Sequence, residues 1–227
     1  MTRLAVVSGT GRGLGRAIAE ELLDAGWSVI GLERQPGAPR EPRACLTVLR
    51  HDVRADVPDD LMTAVGDRPV DLLVNNAAQG APGGGVQQSD PAGVLASVDV
   101  AVAGPMRLVA ALLPSLHRAP SPVIVNVSSR LGSVTAQARG EFDGFGTSYA
   151  YRISKAAQNM LTVSLAQELS PRIRVLAVHP GRLATGMGRA GADKDPGQAA
   201  RELLTLVQSD DRRSPRFCSL GEPDLTW

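Results

Sequence analysis

The chain has 227 residues, 43% of them hydrophobic, and a formal net charge of +1. That is enough apolar material for one complete core, and so neutral a balance excludes a general nucleic-acid binder, which carries a basic excess. Two cysteines exclude a disulfide framework, and Cys45, Cys218, His51, His117 and His179 are too scattered for a metal motif, so no metal site is expected.

Met1-Thr2-Arg3 leads straight into a strand-like run, without the apolar segment and cleavage site of a secretory signal. Leu4 to Ser8 reads as a buried strand. Gly13 to Ala25 follows with helical periodicity, placing Leu14, Ile18, Leu22 and Leu23 on one face. Strands are expected at Trp27 to Leu32, Cys45 to Leu49 and, after a weakly helical segment, Val70 to Val74. Pro91 to Leu116 reads as a long helix with a kink at Gly104-Pro105. Its apolar part, Val98 to Leu116, is interrupted by Asp99, Pro105 and Arg107 and reads as unable to span a bilayer. A cytoplasmic location and no membrane partner are therefore expected. The rhythm continues with a strand at Pro122 to Val127, a helix at Gly146 to Leu169 and a strand at Ile173 to Val178. A helix at Pro196 to Gln208, capped by Asp195, and a short strand at Arg216 to Leu220 complete it. The strands are near-continuous apolar runs, as in a parallel sheet covered on both faces. The expected fold is α/β: a Rossmann-type, doubly wound, mostly parallel seven-stranded sheet with helices on both faces, in a single domain over 1–227.

Ser8-Gly-Thr-Gly-Arg-Gly-Leu-Gly15 lies between the first strand and the first helix. Glycines there permit a tight turn and close backbone approach to a pyrophosphate, which the helix N-terminus then attracts. Dinucleotide folds place an acid at the end of the second strand, and Glu33 stands there. A carboxylate facing the adenosine ribose accepts its hydroxyls and repels a 2′-phosphate, which favours NAD(H). Arg34 and Arg12 could instead pair with a 2′-phosphate, so NADP(H) is the alternative.

Only two of the 24 basic residues are lysines, Lys155 and Lys194, and only two tyrosines occur, Tyr149 and Tyr151. Both tyrosines and one lysine fall inside seven residues. Tyr151 and Lys155 are four apart on a helix and share a face. A nearby ammonium lowers a phenol's pKa, which suits proton transfer at a carbonyl or alcohol oxygen.

With these motifs, and with Val125-Asn-Val-Ser-Ser129 ending the fifth strand, the whole chain resembles the classical short-chain dehydrogenase/reductase family. The opening motif is Ser8-Gly9, Gly13 and Gly15. Asn75-Asn76-Ala77-Ala78 stands for the family's Asn-Asn-Ala-Gly, and Pro180-Gly181, Leu183 and Thr185 match its turn after the sixth strand. The resemblance implies alcohol–ketone redox with a nicotinamide cofactor. It makes Ser129, Tyr151 and Lys155 catalytic. It places Gly9, Arg12, Gly13, Leu14 and Gly15 at the phosphates, Glu33 and Arg34 at the ribose, and Asp52 and Val53 at adenine. Asn76, Ala77 and Ala78 would lie by the adenosine ribose, Tyr151 and Lys155 at the nicotinamide ribose, and Pro180, Gly181, Leu183 and Thr185 at the carboxamide. The substrate would be a small carbonyl or alcohol, in a pocket built from loops 78–90, 130–148 and 182–195. Helices 91–116 and 146–169 would join a homodimer or homotetramer.

Three departures stand out. Ala101 replaces an asparagine that in the family holds a relay water. This leaves room for a nucleotide-binding regulatory or signalling protein, or for a non-redox dehydratase, epimerase or cyclase. Ser129 and Tyr151 are 22 residues apart, and the extra segment Ala136 to Thr147 is expected to wall the substrate pocket. That spacing, the Tyr-x-Tyr-x-x-x-Lys run, His179-Pro-Gly and the terminal Trp227 are similar to the C-factor and sniffer-type carbonyl reductase branch. The lid between Arg182 and Asp195 is short, with Met187 its one large apolar residue beyond Leu183. Tyr149 could line the pocket mouth, His179 reads as structural, and His51 and His117 as surface or packing residues. Cys45 and Cys218 are expected to be buried, and Lys194 solvated.

Overall fold

The computed structural model describes residues 2–35, 37, 41–80, 83–146, 148–183 and 194–227. Seven strands form one sheet: β1 (Leu4–Ser8), β2 (Ser28–Glu33), β3 (Leu46–Arg50), β4 (Leu72–Asn75), β5 (Val123–Val127), β6 (Arg174–His179) and β7 (Arg216–Ser219). Their order is β3-β2-β1-β4-β5-β6-β7, and every ladder is parallel. The chain builds outward from β1 in one direction and from β4 in the other. The C-terminal ends of β1 and β4 therefore form the crevice where a doubly wound sheet binds ligands.

The helices are α1 (Gly13–Asp24), α2 (Asp59–Val65), α3 (Pro91–Val98), α4 (Gly104–Arg118), α5 (Val134–Ala138), α6 (Tyr149–Leu169) and α7 (Pro196–Gln208). Strand side chains alternate between two cores. Ala5 and Val7 join Leu14, Ile18, Leu22 and Leu203 under α1 and α7. Leu4 and Val6 join Leu61, Leu108, Leu112 and Leu169 under α2, α4 and α6. The edge strand β3 departs from the expectation of two-sided burial. Val48 is 46% exposed, and Cys45, just before the strand, is exposed rather than buried, because β3 is the edge of the sheet. Cys218, on β7, is buried as expected, and burial pushes its thiol up to about 11.

The long helix is interrupted just before Gly104-Pro105, where Asp99–Ala103 forms a π-type turn between α3 and α4. Pro105 has no N–H to offer the carbonyl of Ala101, one turn earlier, and its ring crowds that carbonyl, so the helix widens there. By length and composition the whole stretch Pro91–Arg118 could cross a membrane, contrary to the expectation from its interruptions. In the fold it buries Leu108, Leu112 and Leu116 against the sheet. Ser148 starts α6 three residues later than expected, its Oγ accepting the Tyr151 N–H at 3.2 Å.

Candidate active site

The glycine turn is held from two sides. Ser8 Oγ accepts the N–H groups of Asn76 (3.0 Å) and Ala77 (3.1 Å), while Asn76 Nδ2 donates to the carbonyls of Ser8 (3.0 Å) and Gly9 (3.3 Å). This packing needs glycine. Gly9 has φ +77, and a Cβ there would sit 2.9 Å from Asn76 Nδ2; a Cβ at Gly15 would overlap the Gly9 carbonyl and Asn76 Nδ2 together. Leu14 and Gly15 are buried, whereas Arg12 and Gly13 are exposed at the mouth of α1. Arg12 is the N-cap but makes no side-chain cap, and the first turn carries no acid. The leading N–H groups and the positive dipole end of α1 are therefore presented to an incoming anion.

Glu33 is buried at the end of β2. Its carboxylate accepts from Thr10 Oγ1 and from the Gly37 N–H, each at 3.0 Å. Arg34 is exposed beside it. The Asp52 carboxylate takes the Arg54 guanidinium at 2.6 Å, and these bonds hold it at about 2. Val53 is buried against Gly104, and its carbonyl receives Arg107, which also pairs with Asp99 at 2.9 Å. Asp99 is thus engaged by Arg107, and Ala101 is buried in the π-type turn with no polar side chain to offer.

Ser129, Tyr151 and Lys155 come together at the end of β5 and the start of α6. The Tyr151 hydroxyl interacts with the Ser129 side chain, whose Oγ accepts the Leu131 N–H at 3.2 Å. Lys155 is 4% exposed, and its Nζ donates to the Val127 carbonyl at 2.7 Å and to Gln158 Oε1 at 2.9 Å. Nζ lies 6.0 Å from the centroid of the Tyr151 ring. Burial pushes the Tyr151 phenol up, and the Ser129 interaction offsets part of this. That reverses the expected lysine-driven lowering, because two of the three ammonium N–H groups are directed at carbonyls and the phenolate has lost solvent. Burial lowers Lys155 itself to about 8.

The segment after Ser129 is folded rather than open. Residues Arg130–Gly132 form a 3-10 turn, Ser133 caps α5, and Arg130 lies over the Phe142 and Phe145 rings at 5.6 and 5.9 Å. Arg152 of α6 donates to the Phe145 carbonyl at 2.7 Å. Trp227 stacks on Phe217, its carbonyl accepting the Thr135 N–H at 3.0 Å. Tyr149 is 46% exposed at the start of α6. Ala78 is exposed, Pro180 is buried, and Gly181 lies against the stem of Lys194. Leu183 bridges to Lys194. Lys194 is not solvated: it pairs with Glu202 at 2.7 Å and donates to the Leu220 carbonyl at 2.6 Å, fastening the far end of the lid segment to α7. Thr185 and Met187 lie outside the described residues. His51 and His179 are buried, and His117 is exposed. Among the described residues no group of three or more His, Cys, Asp or Glu could hold a metal.

Sequence reasoning missed Arg130, Asn126, Gln158 and Gly132. Gly132 allows the 3-10 turn to touch α6, since a Cβ there would sit 2.7 Å from the backbone of Lys155. Two of these had a signal. An amide in the apolar run Val123–Val127 and another one turn beyond Lys155 each need a buried partner.

A seven-stranded parallel Rossmann-type sheet with a glycine turn after β1 and a Ser–Tyr–Lys cluster beyond β5 defines the class. The chain matches the family described as short chain dehydrogenase over residues 3–195, and it belongs to that oxidoreductase family. Among curated relatives it is 32% identical to the C-signal protein of Myxococcus xanthus over 73% of this chain and 97% of that one. It is 34% identical to galactitol 2-dehydrogenase of Rhizobium johnstonii over 91% of this chain and 79% of that one. Among solved structures, the carbonyl reductase Sniffer of D. melanogaster superposes with a TM-score of 0.85 at 25% identity, covering 100% of both chains.

Proposed function

We propose that the protein is a nicotinamide-dependent oxidoreductase that interconverts a secondary alcohol and a ketone or other carbonyl, with Tyr151 as the acid/base. The observation that carries this is the cluster of Ser129, Tyr151 and the buried amine of Lys155, whose Nζ lies 6.0 Å from the Tyr151 ring centroid. A hydroxyl pair next to a buried ammonium can exchange a proton with a substrate oxygen.

The residues present fit such a cofactor. The glycine turn would receive the pyrophosphate through Gly9, Arg12, Gly13, Leu14 and Gly15, because the backbone there is open to close approach. Glu33, with Arg34 beside it, and Asn76, Ala77 and Ala78 would meet the adenosine ribose; Asp52 and Val53 would meet adenine. A carboxylate at the Glu33 position favours NAD(H) over NADP(H). The third N–H of Lys155 is left for a ribose hydroxyl. Pro180, Gly181, Leu183 and Thr185 would hold the carboxamide end. When bound, the nicotinamide supplies or accepts the hydride.

The chain's own residues do the rest. Ser129 Oγ orients the substrate oxygen. In reduction Tyr151 donates its hydroxyl proton to that oxygen, and in oxidation it removes the alcohol proton. The ammonium of Lys155 stabilises the phenolate left behind. The substrate would be a small molecule, bounded by loops 78–90, 130–148 and 182–195 within one domain over 1–227. The Arg130, Phe142 and Phe145 cluster supports a wall at one side. Helices 91–116 and 146–169 are the proposed interface of a homodimer or homotetramer, and exposed Leu95, Met106, Ile153 and Met160 support this. The test is a panel of ketones and aldehydes followed by reduced-nicotinamide absorbance with NADH and with NADPH. Turnover by wild type, lost in Tyr151→Phe, is expected; equal rates in both proteins would refute the role of Tyr151.

A further inference from the structure

Gln158 lies one turn after Lys155 on α6 and is 0% exposed. Its Oε1 accepts the Lys155 amine at 2.9 Å, while its Nε2 meets no acceptor among the described residues. A buried amide with an unmet donor costs free energy that a methionine or leucine of similar volume would not. Among the described residues, the one hydrogen bond its side chain makes goes to the lysine. The backbone of the same residue is anchored by a polar ladder across the sheet. Asn75 Nδ2 donates to Asn126 Oδ1 at 2.9 Å, Asn126 Nδ2 to Thr162 Oγ1 at 2.9 Å, and Thr162 Oγ1 to the Gln158 carbonyl at 3.0 Å. The acceptor offered to Lys155 is therefore tied through α6 to β4 and β5.

We propose that Gln158 is a positioning residue of the site, its side-chain carbonyl fixing the Lys155 amine beside Tyr151 and setting how firmly that amine holds its proton. The inference rests on the proposed use of Tyr151 and Lys155 in proton transfer. Among the described residues no charged side chain pairs with the amine. On the π-type turn packed against α6, Asp99 is paired with Arg107 of α4. On the 3-10 turn, Arg130 lies over the Phe142 and Phe145 rings. The titratable neighbour on α6 itself is Tyr151. Among the described residues, Gln158 and the Val127 carbonyl are the two hydrogen-bond partners of the amine.

The test uses the scarcity of lysine. Biosynthetic labelling with 13C,15N-lysine gives two side-chain signals, one from Lys155 and one from Lys194, and Lys155→Met identifies the first. In Gln158→Leu the titration midpoint of Lys155 falls by about one pH unit, because the charged amine loses an acceptor; in Gln158→Glu it rises by at least about one, because a carboxylate replaces the amide. Gln158→Met serves in place of Gln158→Leu if the latter does not fold. In turnover, the apolar variant loses about tenfold in kcat and the pH profile moves with the Lys155 midpoint. A Lys155 midpoint unchanged in both an apolar and a Gln158→Glu variant overturns the proposal. A wild type that turns over no carbonyl would instead overturn the proposed function, and the Lys155 titration would still decide the role of Gln158.

Discussion

Lys155 makes the stability of this protein depend on pH in an unusual window. Its amine is buried, and the loss of solvent lowers it from 10.5 to about 8. In the unfolded chain a lysine keeps its proton up to about 10.4, so between these values the unfolded state binds more protons and stability rises with pH. The contribution is fully present above the unfolded value and is lost as pH falls through about 8. A gap of about 2.5 pH units at about 1.4 kcal/mol each gives roughly 3 kcal/mol across the window. The amine is 4% exposed, so solvent screening takes little from this figure. Lys155→Met removes the titration and leaves a constant offset from the lost bonds to Val127 and Gln158. Urea unfolding of both proteins should show wild type gaining roughly 3 kcal/mol on the variant from about pH 8 to about pH 10.5. The raised groups Tyr151 and Cys218 are present in both proteins and largely cancel in the difference. A difference that stays flat through the window would show that the folded amine is not held below its ordinary range, and the burial argument would fail.

Ser129→Ala removes the side chain whose interaction offsets the burial of Tyr151, so the phenol should rise further. A spectrophotometric titration in a Tyr149→Phe background reads Tyr151 alone, and an unchanged midpoint would remove Ser129 from the pair. Gly15→Ala forces a methyl against the Gly9 carbonyl and Asn76, which should cost more than about 2 kcal/mol and abolish nicotinamide-nucleotide binding by fluorescence. Binding at wild-type affinity would place the pyrophosphate elsewhere.

Much of the fold was written in local signals. Asp195-Pro196 fixes the start of α7, and β1 is bounded by its apolar run and the glycines after it. Strands β2, β3 and β6 instead begin one residue later than hydrophobicity suggested, because ladder register and not apolarity sets their ends. The burial of Cys45 was misread because nothing in its own segment says that β3 is an edge. The π-type interruption at Asp99–Ala103 follows from Pro105, whereas its contact with α6 becomes visible only in the fold. At the candidate site, the spacing of Tyr151 and Lys155 was legible, whereas the partners of Lys155 were not. Val127 and Gln158 reach it only once β5 and α6 are in contact, and a backbone carbonyl leaves no trace in composition. Lys194 was likewise unreadable, since Glu202 and Leu220 approach it from other elements.

The central claim is hydride chemistry assisted by the Tyr151 proton. The most direct measurement follows deuterium from the transferable position of a labelled reduced nicotinamide into the product of a ketone substrate. The account predicts one deuterium at the carbinol carbon for each cofactor oxidised by wild type, and in Tyr151→Phe a rate lower by about 100- to 10,000-fold. Product formed without deuterium and without cofactor oxidation would contradict it.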